Sequence, residues 1–592
     1  MKISITFLLV ISFSLILKAQ NIYYVSTSGN DLNNGTSIST AWRTITYAAS
    51  NSSPVSSGDT VYIKSGNYGS ENIVFETDGT LENPITFEGY QSIPGDNPNL
   101  NWDYVTNRNF NADIMPLLEG MDRTTGIGMT LHNRKYIILS NFQIKNYEHG
   151  LYAYSGNNIK IKNIIAMDFG DQTAAYNGKG IKFGSLADNN QIDNCIVYNA
   201  CAEGLTVVGN NNAIKNCKVY CDDNSNGHEA AMDYYIHVGG NNNIVEGCYV
   251  ERVGNLEHVG HGIDLKTNCE NNLIKNCVSK GMSYSAYELR HRSVRNNILE
   301  NCVAIGGGGF TIRDGASYNT LKNCIAIDAR AAVSFFDTAE DEGAQYAGAY
   351  NVFENCIFRN TTNQNNNAII AFHSYSVASI AENNTFKNCV IDGGNYLFTS
   401  RRENDNNKMV NCIVQNVANY YYGEYPLNFS FEYSNFWNNG FTIPTGTNIT
   451  SFDPLFVDLP NNDYHLTSIS SCIDAGTSID SPFTDFDGNP RNVGNSVDIG
   501  AYEYNPSLNV TKNTYNNSIL LYPNPTTDSI ILKSTTVNLS KIKIYDILGK
   551  EISNLTQKEI INQTSVKINV SNLSSGIYLL ITKTTHTIFY KK

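Results

Sequence analysis

One phrase, Asn-x-Ile/Leu/Phe-x-Asn-Cys, returns again and again along the middle of the chain. It reads NNQIDNCIV from residue 189, NNAIKNCKV from 211, NNLIKNCVS from 271, NNILENCVA from 296, YNTLKNCIA from 318 and NNTFKNCVI from 383. Its cysteines, Cys195, Cys217, Cys248, Cys277, Cys302, Cys324, Cys356, Cys389 and Cys412, follow one another at intervals of 22 to 33 residues. Each interval holds two or three short strand-like runs and no helical periodicity. A unit of that size cannot bury an apolar face alone, so its strands must pair with those of the next unit, about 4.8 Å away. The expected fold is all-β: a right-handed parallel β-helix over residues 126–445, with variation in unit length absorbed by loops that wall a groove. Asn before Cys suits a left-handed turn and can bond to its counterparts in a ladder.

The nine cysteines then read as a stacked column of small buried hydrophobes, not as disulfides. Cys201 and Cys221 lie outside the column on consecutive units and are the pair to consider for a bridge. Lys2, the apolar residues 3–17 and Lys18-Ala19-Gln20 describe a signal peptide over residues 1–20. That run is short of the roughly 20 residues a spanning helix needs, and no later stretch is apolar enough to cross a bilayer. A net charge of −14 argues against general attraction to nucleic acid or anionic membrane. An acidic polymer is then held only through a local cationic patch.

Strands of successive units align by their inward apolar residues: GIKFG at 180, GLTVV at 204, DYYIH at 233, GIDLK at 262, AYELR at 286, GFTIR at 309 and AVSFF at 332. Side chains alternate across a strand. The outward set is therefore Tyr235 and His237, Asp264 and Lys266, Glu288 and Arg290, Thr311 and Arg313. Flanking units place Lys182, Thr206, Val208, Ser334 and Phe336 outward instead, so charge gathers at the centre. The cations Lys266, Arg290 and Arg313 stack in a chain that is acidic overall. Like charges repel across strands, so such a column points to an anionic partner. Cross-strand ion pairs on a solvated face are the plainer reading. Tyr287 falls on an inward position and reads as core.

The segment KTNCENNLIKNCVSKGMSYSAYELRHRSVRNN, from Lys266, resembles the catalytic segment of polysaccharide lyase family six, which includes chondroitinase B and alginate lyases. GHGIDLK is similar to the lysine strand of family nine pectate lyases. The resemblance implies Lys266 as Brønsted base, Arg290 as its partner at the cleaved bond, and β-elimination on a uronic acid polymer. It also implies calcium. Asp264 stands just before the lysine, the Glu-x-Glu pair of family six is absent, and Asp222, Asp223 and Asp233 are the remaining candidates for an oxygen-rich site. His237, His261 and His291 are alternative acids or bases, and Tyr235, Arg313, Glu288 and His291 are candidate substrate contacts. β-Elimination needs the substrate carboxylate neutralised and an unprotonated base, and a cationic neighbour favours a neutral lysine. A glycoside hydrolase would instead rely on two carboxylates among Asp233, Asp264 and Glu288. A C5-epimerase would share the base and the carboxylate clamp, and a non-catalytic glycan-binding solenoid would need neither.

Residues 21–125 resemble the N-terminal cap of secreted β-helices, with AWRTITYAA as a short helix over the open end of the core. Residues 446–505 resemble a module that closes such solenoids. Residues 506–592, with LYPNPTTDSIILKS and KIKIYDILGKEI, resemble the C-terminal sorting domain of the Bacteroidetes type IX secretion system, a small β-sandwich. That resemblance implies export and attachment by the type IX machinery, and with the lyase resemblance the chain is expected to be an exported monomer acting on an acidic polysaccharide.

Overall fold

The computed structural model describes residues 20–98, 110–171, 177–222, 232–253, 260–338, 346–360, 368–374, 380–506 and most of 520–591. Residues 1–19 of the expected signal peptide and Asp223 fall outside the described residues. Two compact units emerge, Met1–Tyr504 and Asn505–Lys592. The first is a parallel β-solenoid: one 27-stranded sheet carries the repeat phrase and a 13-stranded sheet faces it across the core.

The repeat phrase builds the wall it predicts, through two different asparagines. The residue before each cysteine is left-handed, with φ 51° at Asn194, 53° at Asn216 and 54° at Asn276. Asn accepts that turn at little cost, and Gly247 takes it with φ 65° where Asn is missing. The asparagine before cysteine bonds its counterpart at Asn301–Asn276, Asn355–Asn323 and Asn411–Asn388, and a continuous ladder comes from the other asparagine, four residues upstream. Asn190, Asn212, Asn243, Asn272, Asn297, Asn319, Asn351, Asn384 and Asn407 are all buried. Each backbone amide up to Asn384 donates to the side-chain oxygen of the next in line, at 2.7–3.1 Å. Buried amides thus satisfy each other along the axis. The cysteines are buried and free, Cys201 and Cys221 included. Each thiol lies near backbone carbonyls, as with Cys302 Sγ, 3.5 Å from the oxygens of Ile274 and Glu300.

The expected N-terminal helix runs Ile45–Ala49, N-capped by Thr44, whose side chain accepts the Tyr47 amide. Its buried face, Ile45, Ala48 and Ala49, joins the solenoid core beside Trp42. Residues 446–505 do more than close the end. Tyr464, Leu466, Cys472, Ile499 and Ala501 pack on Ile357, Val390 and Ile413, so the module lies along the flank of several coils. Asn355, Asn388 and Asn411 donate their side-chain amides to its backbone. The second unit has a four-stranded and a three-stranded antiparallel sheet. Ile530, Leu532, Ile544, Ile568, Leu580 and Phe589 form its core.

Candidate active site

The outer face of the 13-stranded sheet carries three rows of register partners. Thr206, His237, Asp264, Glu288, Thr311, Ser334, Ala371 and Thr399 form one. Lys266, Arg290, Arg313, Phe336 and His373 form the second, and Glu203, Tyr234, His261 and Ser285 the third. The outward assignments of His237, Asp264, Lys266, Glu288, Arg290, Thr311 and Arg313 therefore hold.

Most of these groups are nevertheless sealed by one another. Asp264 and Glu288 are fully buried, and Arg290 and Arg313 nearly so. A histidine–acid pairing recurs on successive coils, between register partners at His237–Asp264 and on the diagonal at His261–Glu288. His237 Nδ1 lies 2.5 Å from Asp264 Oδ1, and His261 Nδ1 lies 3.3 Å from Glu288 Oε2. Glu288 also accepts Arg313 at 2.9 Å. Asp314, just past the strand and left-handed at φ 51°, accepts the Nε of Arg290 at 3.1 Å and of Arg313 at 3.0 Å. The cationic column is thus interleaved with acids, which removes most of the repulsion expected from the sequence.

Lys266 is the exception. Among the described residues it makes no ion pair, and its Nζ donates to the Tyr234 hydroxyl at 3.0 Å. Burial, and then the Arg290 charge, lower its pKa from the ordinary lysine value. Burial opposes charge on His237, but Asp264 and Glu203 outweigh it and raise the imidazole pKa. Burial likewise works against an ionised Glu288, and His261, Arg313 and Arg290 overcome it, holding the carboxyl below its usual range. Burial, then the negative charges of Asp264 and Asp233, push the Tyr234 hydroxyl up, so it stays protonated.

Two positions differ from the sequence expectation. Tyr235 is fully buried and faces the core. The chain turns a corner there, so Tyr235 and Ile236 both point inward, as Gly204 and Leu205 do one coil earlier. The tyrosine in the groove is Tyr234, one residue upstream. His291 sits in the turn after the Glu288 strand, with φ 84°, outside the three rows. Tyr287 is core, its hydroxyl donating to the Cys277 carbonyl at 2.7 Å.

The calcium expectation finds no cage. Among the described residues no group of three His, Cys, Asp or Glu side chains is placed to hold a metal. Asp222 ends a strand of the other sheet and bonds to Asn199. Asp233 lies near the site, and burial raises its pKa. Asp264 leaves one buried oxygen, Oδ2, without a hydrogen-bond partner. A hard cation needs six to eight oxygens, and here Lys266 follows two residues later on the same strand.

Three groups escaped the sequence reading. Tyr234 is hidden by the corner, and Asp314 by a left-handed residue that alternation does not describe. Glu203, which accepts Lys182 at 2.9 Å and Thr206 at 2.7 Å, lay outside the aligned strand segments. The polar residue just before the glycine on three of these strands, Lys179, Glu203 and His261, was the available signal for the last.

Two depressions open on this face, about 510 Å³ around Tyr234, His237 and Lys266 and about 460 Å³ around Glu288, Arg313 and His373. Family models match the chain in three places: residues 23–202 as "Pel9A-like, right handed beta helix region", 177–326 as "Right handed beta helix region", and 520–592 as "Secretion system C-terminal sorting domain". The solenoid is a right-handed parallel β-helix. The sorting domain marks this β-helix protein for export by type IX secretion, as its C-terminal sequence implied. Similar solved structures include an alginate lyase from Paenibacillus sp. str. FPU-7, at 14% identity, covering 57% of this chain and 98% of that one, TM-score 0.34. A GH136 lacto-N-biosidase from Eubacterium ramulus matches at 14%, over 62% and 68%, TM-score 0.39. Pectate lyase Pel9A matches at 14%, over 82% and 97%, TM-score 0.31. No curated protein matches the chain.

Proposed function

We propose that this β-helix is a polysaccharide lyase acting on a uronic acid polymer, with Lys266 as the base. The observation that carries the reading is the state of Lys266: half-buried, without an acid partner among the described residues, beside Arg290, and held by Tyr234. Neutral Lys266 takes the proton beside the uronate carboxylate. The electron pair becomes the ring double bond, and the bond to the 4-linked oxygen breaks. Arg290 faces the carboxylate and stabilises charge that develops there. His237, whose charged form Asp264 and Glu203 favour, gives a proton to the leaving oxygen.

The hydrolase alternative asks for two available carboxylates. Asp264 and Glu288 are both buried and engaged with histidines, and Glu288 with Arg313 as well. The test is ultraviolet detection of an unsaturated uronide from acidic polysaccharides such as alginate and polygalacturonate. New reducing ends without that absorbance would mean hydrolysis, and altered uronate stereochemistry without cleavage would mean epimerisation.

A further inference from the structure

We infer that the depression downstream of Lys266 is a second sugar-binding stretch, which anchors further anionic units of the same polymer through Arg330 and makes the enzyme act on long chains. This inference rests on the lyase reading for its substrate class.

The row that bears His237, Asp264 and Glu288 changes character after Glu288. Its next members are Thr311, Ser334, Ala371 and Thr399, all small and uncharged. Substituting small residues for charged ones lowers the floor over several coils, and the depression of about 460 Å³ occupies that space. It begins at His261 and Glu288, so it adjoins the reacting groups directly. From the Lys266 strand to the Thr399 strand the sheet takes five steps, about 24 Å at the usual strand spacing. A pyranose repeat is close to one such step, so a chain lying along the axis offers about one sugar per coil.

The lining suits an anionic polymer. Arg330 is exposed on the rim, where its guanidinium donates to the Ser283 carbonyl. Phe336 presents an aromatic ring, and Arg313 lies 5.5 Å from its centroid. Among the described residues the one carboxylate on the lining, Glu288, already accepts Arg313. His373 is neutral near pH 7, because burial and then the Arg401 charge push its pKa down to about 4. An apolar face beside a rim cation, with no uncommitted acid among the described residues of the lining, is complementary to a uronate and at odds with the chain's overall charge of −14.

Arg330→Ala tests this, since an exposed rim residue is not needed for folding. Mannuronate and galacturonate oligomers, trimer to octamer, are offered to the wild type and to the variant. The wild type should show kcat/KM rising from trimer to hexamer. Arg330→Ala should lose at least about tenfold on the hexamer, the order of one charge-assisted hydrogen bond, and nothing on the trimer. Equal loss at every length, or a wild-type rate independent of length, overturns the inference. Calorimetric binding of the hexamer to Lys266→Ala separates the two readings. If no oligomer yields unsaturated product but Arg330→Ala still weakens hexamer binding, the anchor stands and the lyase assignment falls. If hexamer binding is the same with and without Arg330, the anchor falls whatever the chemistry.

Discussion

The same coils present two walls, and they follow opposite rules. On the repeat wall, Asn190 through Asn407 puts one residue type at one register nine times. On the groove wall the corresponding row runs Thr206, His237, Asp264, Glu288, Thr311, Ser334. On the first wall the backbone amides of Asn190 to Asn384 each bond the same residue type in the next coil, so each coil adds a similar increment of stability. The second wall changes at every step, and each buried charge needs a specific partner from a neighbouring coil. Variation is concentrated where chemistry is expected, and the uniform wall supports it.

If that division is right, the largest effect of a single change should be on turnover and should come from the varied wall. Lys266→Ala should lower the rate by about 10²–10⁴-fold, the range for loss of a general base, and leave the unfolding midpoint unchanged. Lys266→Arg should be almost as damaging, because guanidinium stays protonated. An arginine variant that keeps most of its activity would make Lys266 a charge contact and move the base elsewhere.

Glu288→Gln should next cost about 3–5 kcal/mol of stability, as breaking a buried pair leaves Arg313 and His261 facing an uncharged amide. Urea unfolding measures this. The pH dependence has a definite sign. Glu288 is held below its ordinary pKa, so its contribution is complete above the unfolded value of about 4.3 and fades as pH falls through the depressed folded value. A variant that matches the wild type at pH 7 would remove Glu288 from the structural network.

On the uniform wall, Asn297→Ala should cost about 1–3 kcal/mol, because the Asn272 amide loses its acceptor inside the core. The same change at Asn351 should cost about as much. Unequal losses at the two sites would break the claim that the coils are equivalent.

The subtlest prediction concerns pH and rate. A lysine base works only when neutral, so activity rises as pH passes its pKa, and burial with Arg290 moves that rise below the ordinary lysine range. Arg290→Gln removes the cationic neighbour. The acid limb of kcat/KM should therefore shift to higher pH, beyond any fall in maximum rate. An unmoved limb would mean that Arg290 does not tune Lys266.

The uniform wall was readable from the sequence because a repeated phrase states its own register. Once Ile263, Leu265, Tyr287 and Leu289 were set inward, Lys266, Arg290 and Arg313 followed by alternation. Alternation also caused the errors. It fails at the corner, where Tyr235 and Ile236 both turn inward, and after Arg313, where Asp314 becomes left-handed. The asparagine before cysteine bonds its counterparts as expected at Asn301–Asn276, Asn355–Asn323 and Asn411–Asn388, but the continuous ladder runs through the asparagine four residues upstream, which recurs with the same period. The pairing of His237 with Asp264 and of His261 with Glu288 joins residues 27 apart on neighbouring coils, which no local pattern records.

Thirteen free, buried thiols in an exported chain also impose a time limit. Parallel strands far apart in sequence assemble slowly, while thiols exposed to an oxidant pair within seconds to hours. Once the coils close, every cysteine is out of reach, so the order of events decides the product. Oxidant added before refolding should trap misbridged chains, and the same oxidant added afterwards should leave the thiols intact. The column that fills the core of the finished solenoid therefore makes its assembly a race against oxidation.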